Sequence, residues 1–372
     1  MAASGLVVPC IWDNVVTEVT GVQLSLGHAP ILERLGHRLL KVSLAGGTQL
    51  GDDCAGAICS CLQNLTQVQE ISIGLERTGI GDDVAVAIGD SLQKMPQLQN
   101  IAISFYRTDI GDVGAAGIGN GVQDLQQLRR LVLDFRNTKL SDAGGVAVGT
   151  SLQKLQQLQQ VTMDFRNTDV GDASSGAIGQ SLKSLQQLQR LAMYFSGTNL
   201  GDDSGVAIGH SFQNLQQLLQ LTLVFWATKI GDPCAIAIGN GLGNLQKLEV
   251  IAMNLCWTNV GDAGAAAIAS GLQHLQQLKK VSMNFESTQL GDTGALAIGN
   301  SLGTLKNLLE ITMHLGRTQV GDNGALAFGN CLQNLRGLRR ITIFVHGANL
   351  TDTAKELLRE QLAKPDVRLT VD

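Results

Sequence analysis

Charge and aromatic rings are both scarce in this chain of 372 residues: 16% are charged and 4% are aromatic. The usual charged fraction is nearer ~25%. The net charge of −5 is small and spread along the chain. That argues against gripping nucleic acid by phosphate neutralisation and against a polybasic membrane anchor. No apolar run reaches 18 residues, so no transmembrane helix is expected. The first residues, MAASGLVVPCIWDN, lack a basic segment and do not read as a signal peptide. Cys10, Cys54, Cys59, Cys61, Cys234, Cys256 and Cys331 are odd in number and irregular in spacing. They make no disulfide framework, and a reducing, cytoplasmic setting is expected. Glycine, by contrast, is abundant at 44 residues. Hydrophobic residues at 44% give enough apolar surface to fold, which excludes a disordered chain.

Self-similarity organises the sequence. Written in rows of thirty from residue 41, Asp holds the twelfth position of all eleven rows, from Asp52 to Asp352. Thr holds the eighth position of ten rows, Thr48 to Thr318, with Ala348 in the last. One continuous array is expected, rather than the two domains that length alone suggests.

Residues 161–190 show the unit. Val161, Met163 and Phe165 alternate with Thr162, Asp164 and Arg166, which predicts a short strand with one buried face. Ile178, Leu182 and Leu185 recur at helical spacing. Each unit is therefore strand, turn, helix and loop, and successive strands run parallel. The Asp column is expected to cap the helix it begins, beside the positive end of the helix dipole. Pro233 directly follows Asp232, where a first turn tolerates proline. The Gly before the Asp, in nine rows of eleven, is expected to supply an unusual turn dihedral. The Thr column is expected to point inward and bond to the backbone of the neighbouring turn. Eight glycines in one helical column, among them Gly179 and Gly209, predict closely packed helices.

This pattern resembles the leucine-rich-repeat family, in its ribonuclease-inhibitor-like class. The matching stretch is Leu-x-x-Ile/Val-x-Met/Leu-x-Phe-x-x-Thr-x-Leu/Ile/Val-Gly-Asp-x-Gly-Ala-x-Ala-Ile-Gly-x-Ser-Leu, over about residues 40–371. Two features depart from the family: Thr replaces its usual Asn or Cys, and the unit is slightly long at the strand. The resemblance implies an α/β solenoid, a horseshoe of about eleven 30-residue repeats, with parallel strands on the concave face and helices on the convex face. Residues 1–40 read as an N-terminal cap with a helix near 31–40, and residues 41–352 as the array. Residues 353–372 read as a C-terminal capping helix and strand, with Pro365 between them.

Differences between rows separate scaffold from variable positions. Phe105, Phe135, Phe165, Phe195, Phe225 and Phe285 share one inward column and belong to the core. The fourth, sixth and seventh positions vary, are read as outward, and hold both tyrosines and two of the three tryptophans. Aromatic and Arg residues are what protein interfaces concentrate. The candidate partner-binding residues are Arg77, Tyr106, Arg107, Asp134, Arg136, Asp164, Arg166, Tyr194, Trp226, Trp257, His314 and Arg317. Asp134 and Asp164 are expected side by side, as are Arg136 and Arg166. Such like-charge neighbours are unfavourable unless diagonal Asp–Arg pairing relieves them. The repeated DFRNT at 134–138 and 164–168 fits a recent duplication equally well.

Catalytic signatures are missing. There is no phosphate-binding loop, and the glycines recur at repeat spacing instead. Cys59 and Cys61 point apart on a helix and make no zinc pair. His314 and His346 approach on adjacent strands but lack a third metal ligand. Cys256 has no neighbouring base to make it a nucleophile. No cofactor, metal or catalytic residue is assigned. The expected function is non-enzymatic binding of a protein partner by a monomeric adaptor, inhibitor or receptor, with no nucleic-acid or membrane partner. A structural spacer is the alternative, followed by a GTPase activator, and the uniform rows also fit an engineered consensus array.

Overall fold

A computed structural model describes residues 39–43, 62, 67–333, 335–363 and 368–371. The strand-turn-helix reading of the unit holds throughout. Among the described residues twelve strands, from β1 (Leu39–Ser43) to β12 (Arg368–Val371), form one open sheet in sequence order. Every pairing is parallel, and neighbours between β2 (Glu70–Gly74) and β11 (Arg340–Phe344) pair at an offset of thirty residues, as in Leu131 with Val161. Ten helices, α1 (Asp82–Leu92) to α10 (Asp352–Leu362), pack along one side of the sheet among the described residues. The expected helix near 31–40 lies outside the described residues except at its end, where Leu39 and Leu40 are strand instead. Cys59 and Cys61 also lie outside them.

The core runs unbroken between sheet and helices. Rings of Phe105, Phe135, Phe165, Phe195 and Phe225 stack in a row at centroid separations of 5.4, 6.1, 5.6 and 6.0 Å. Ile178, Leu182 and Leu185 are fully buried, as the helical stripe requires. The glycine column lets helices touch backbone to backbone: a Cβ on Gly239 would sit 2.4 Å from the Ala267 carbonyl carbon. Even so, helices stand farther apart than the ~4.8 Å between strands, so the array curves with the sheet inside.

Three columns act differently from expectation. The Gly before the Asp has ordinary extended backbone, as at Gly231 with φ −134°, rather than an unusual turn dihedral. From Thr78 to Thr318 each Thr of the column turns inward, but its hydroxyl donates to the carbonyl three residues earlier in its own turn, as Thr168 does to Phe165 at 2.6 Å. The Asp does not cap its own helix. Gly231, not Asp232, is the N-cap residue of the helix Asp232–Leu242. The Asp232 carboxylate instead accepts from the backbone N–H groups of Gly261 at 2.7 Å and Gly264 at 2.9 Å, in the next repeat. Asp82, Asp112, Asp142, Asp172, Asp202, Asp262, Asp292 and Asp322 make the same forward bond, 29 residues on, at 2.6–2.8 Å. The reason is geometric. With the Asp at or just before the start of its helix, its side chain reaches the free N–H groups of the adjoining helix start.

Candidate functional site

The inner sheet face and the turns that follow its strands carry the variable positions. Because strands are only ~4.8 Å apart, side chains at the fourth position cover one another. Asp134 and Asp164 are fully buried there, and Tyr194 and His314 nearly so. The expected exposure of these four is therefore corrected: they form the floor of the face. Ala102, Val132, Tyr194 and Val224 make a small apolar cluster in that floor.

The like-charge problem is solved by pairing along and across strands. Arg136 binds Asp134 at 2.6 Å and reaches Asp164 at 3.3 Å, while Arg166 binds Asp164 at 2.6 Å. Burial, with the neighbouring Asp134 adding to it, holds the Asp164 carboxyl above its ordinary value against the pull of Arg166 and Arg136. Arg166 lies over the Tyr194 ring at 5.2 Å, and Ser104 donates to Asp134 at 3.2 Å.

The seventh position is where side chains leave the face. Its residues adopt left-handed backbone: Arg77, Arg107, Asn137, Asn167, Ala227, Trp257, Ser287 and Arg317 have φ of 53–59°. Gly197 and Gly347 hold the same position at 66° and 68°. The conformation lets each N–H continue the ladder to the next repeat, as from Trp257 to the Glu286 carbonyl at 3.0 Å. Non-glycine residues in this region cost about 1–2 kcal/mol each. The sequence marked this column as variable but not as left-handed, although its Asn and Gly residues carried that signal.

The resulting surface has three zones. Tyr106 is flanked by the guanidinium carbons of Arg77, Arg107 and Arg136 at 5.7, 5.3 and 4.7 Å. Trp226 and Trp257, on adjacent repeats, are 42% and 59% exposed. Beyond them, His346 meets Glu286 at 3.4 Å, Arg317 is exposed, and His314 stacks on Phe344 at 4.3 Å. Burial, then His346, pushes the His314 imidazole down to about 4, and its Nδ1 has no hydrogen-bond partner.

No protein-family model and no curated protein matches the chain. Solved structures do resemble it. An internalin from Listeria monocytogenes superposes with a TM-score of 0.55 at 19% identity, over 90% of this chain and 74% of that one. A second internalin from the same organism gives a TM-score of 0.37 at 16% identity over 62% of this chain and 84% of that one, too slight a likeness to argue from. Internalins are leucine-rich-repeat proteins. The fold is a leucine-rich-repeat solenoid.

Among the described residues no three His, Cys, Asp or Glu side chains are placed to hold a metal. Burial, then Glu286, pushes the Cys256 thiol up to about 12, far from a reactive thiolate. Among the described residues no helix is long and apolar enough to cross a membrane.

Proposed function

We propose that this solenoid is a non-enzymatic, cytoplasmic module of the ribonuclease-inhibitor-like class. It binds a protein partner through its inner face as a monomeric adaptor, inhibitor or receptor. Exposed Trp226 and Trp257 carry the reading. Tryptophan is enriched among interface anchors, and exposing two neighbours on one face is costly in water. The floor residues Asp134, Asp164 and Tyr194 serve it by positioning Arg136 and Arg166 over them, and His314 supports the far end of the face by stacking on Phe344. Arg77, Tyr106, Arg107 and Arg317 complete the contact surface. Residues 1–40 and 353–372 cap the array, which keeps its end repeats from exposing core.

A spacer role, bound through the helices, has one observation behind it. From Asp112 to Leu332 the helices carry no charged residue except the repeated Asp, whereas Asp352–Leu362 carries Lys355, Glu356, Arg359 and Glu360 as well. Affinity capture from a native extract separates the two readings. A partner lost on Trp226→Ala with Trp257→Ala, at unchanged melting temperature, is the expected result. A partner retained by that variant refutes binding through the inner face.

A further inference from the structure

The aromatic zone is matched by a cationic one, and the two stand a fixed distance apart. Arg77 and Arg107 are exposed at the seventh position, and among the described residues neither makes an ion pair. Arg136, the third guanidinium at the Tyr106 ring, is already neutralised by Asp134 and Asp164. Glu76 is the neighbouring carboxylate, at the sixth position one repeat before Tyr106. Two open cations against one nearby anion leave a single unit of positive charge. That balance suits one carboxylate, and it under-neutralises a phosphate of about −2.

Both arginines sit at positive φ, where Gly197 and Gly347 hold the same column without strain. The conformation points two planar donor forks off the turn beside one ring. Arginine forks bind carboxylates through paired hydrogen bonds. The ring supports the guanidinium groups from below by cation–π contact.

Tyr106 follows β3 (Asn100–Ser104) and Trp226 follows β7 (Gln220–Val224), four strand spacings away. At ~4.8 Å per strand the separation is about 19 Å. An extended segment covers that in about six residues.

We propose that Arg77 and Arg107, seated over Tyr106, bind a side-chain carboxylate of the partner. The partner presents an extended segment with an Asp or Glu about six residues from an aromatic or aliphatic anchor held by Trp226 and Trp257. This rests on the reading of the inner face as a protein-binding surface and specifies its partner.

The test uses three labelled ten-residue peptides, identical but for Glu, Gln or phosphoserine six residues from a Phe. Binding to the full chain is read by fluorescence anisotropy. The Glu peptide is expected to bind at least tenfold tighter than the Gln peptide. Arg77→Ala with Arg107→Ala should collapse that ratio to near one. The variant will fold, because Ala227 already occupies this turn position at φ 55°. Trp226→Ala with Trp257→Ala should weaken the Glu and Gln peptides equally and keep the ratio. Absent binding of the Glu peptide, equal binding of Glu and Gln, or a ratio surviving in the arginine variant overturns the proposal. Preference for phosphoserine over Glu overturns the carboxylate assignment. None of these results touches capture of a native partner through the tryptophans, which tests the broader reading on its own.

Discussion

Asp142→Ala should weaken the repeat after the one it sits in. The Asp142 carboxylate accepts from the Gly171 N–H at 2.7 Å, the Ser174 N–H at 3.0 Å and the Ser174 hydroxyl at 2.6 Å. A hydrogen bond to a charged group contributes about 1.5–3 kcal/mol, less where solvent reaches it. Asp142 is partly exposed, so about 1 kcal/mol for each of three bonds gives a loss of about 3 kcal/mol. The location of the loss is more informative than its size, because a repeat array unfolds by neighbouring units. Amide hydrogen exchange followed by mass spectrometry should show lost protection at residues 171–175. Protection lost only at residues 143–146 would mean that the carboxylate caps its own helix, and the forward-bond argument would fail. The pH dependence has a definite sign. Burial raises the Asp142 pKa, but the bonds from Ser174 and Gly171 outweigh it and hold it below its ordinary value. Its contribution is therefore present above the unfolded carboxyl value of ~3.9 and lost as pH falls through the folded value.

Three further outcomes are expected. His314 is pushed down to about 4, so the unfolded chain takes up its proton first as pH falls from 6.5. Wild type should then lose about 2 kcal/mol between pH 7 and 5 beyond any loss in His314→Gln, as urea titrations at both pH values will read. A slope shared by both proteins would contradict this. Trp257→Gly should stabilise by about 0.5–1 kcal/mol by relieving left-handed strain, while partner capture falls; a clear loss of stability would refute the strain account. Among helical glycines, Gly176 has open space around a Cβ, whereas a Cβ on Gly239 meets the backbone of residue 267 at 2.4 Å. Gly176→Ala should therefore stabilise by about 0.5–1 kcal/mol, and Gly239→Ala should destabilise by about 1–3 kcal/mol, in thermal melts.

The fold was legible because its determinants are periodic. Alternation at Val161, Met163 and Phe165, and the stripe of Ile178, Leu182 and Leu185, each report one buried face. Repetition turned weak local signals into a strong one. What escaped the sequence was the depth of a position and the direction of a bond. Alternation placed Asp134, Asp164, Tyr194 and His314 correctly on the sheet face turned away from the helices. It carried no information that neighbours ~4.8 Å away would cover them. The Asp column was visible as a cap, but a carboxylate two atoms beyond Cβ reaches either helix start, and only the packing of adjacent units decides which. The Trp and Arg residues stood out by rarity, while their left-handed backbone lay hidden behind the mixed chemistry of the column.

The forward reach of each Asp ties two length requirements together. The strand ladder needs thirty residues between partners, and the carboxylate needs 29 and 32 to its two N–H donors. A single inserted residue between Asp232 and Gly261 shifts both at once. Whole units are free to be copied or excised, because such events preserve both spacings. The chain is thereby tolerant of duplication and intolerant of frame-sized slips, which accounts for the thirty-residue register kept from β2 to β11.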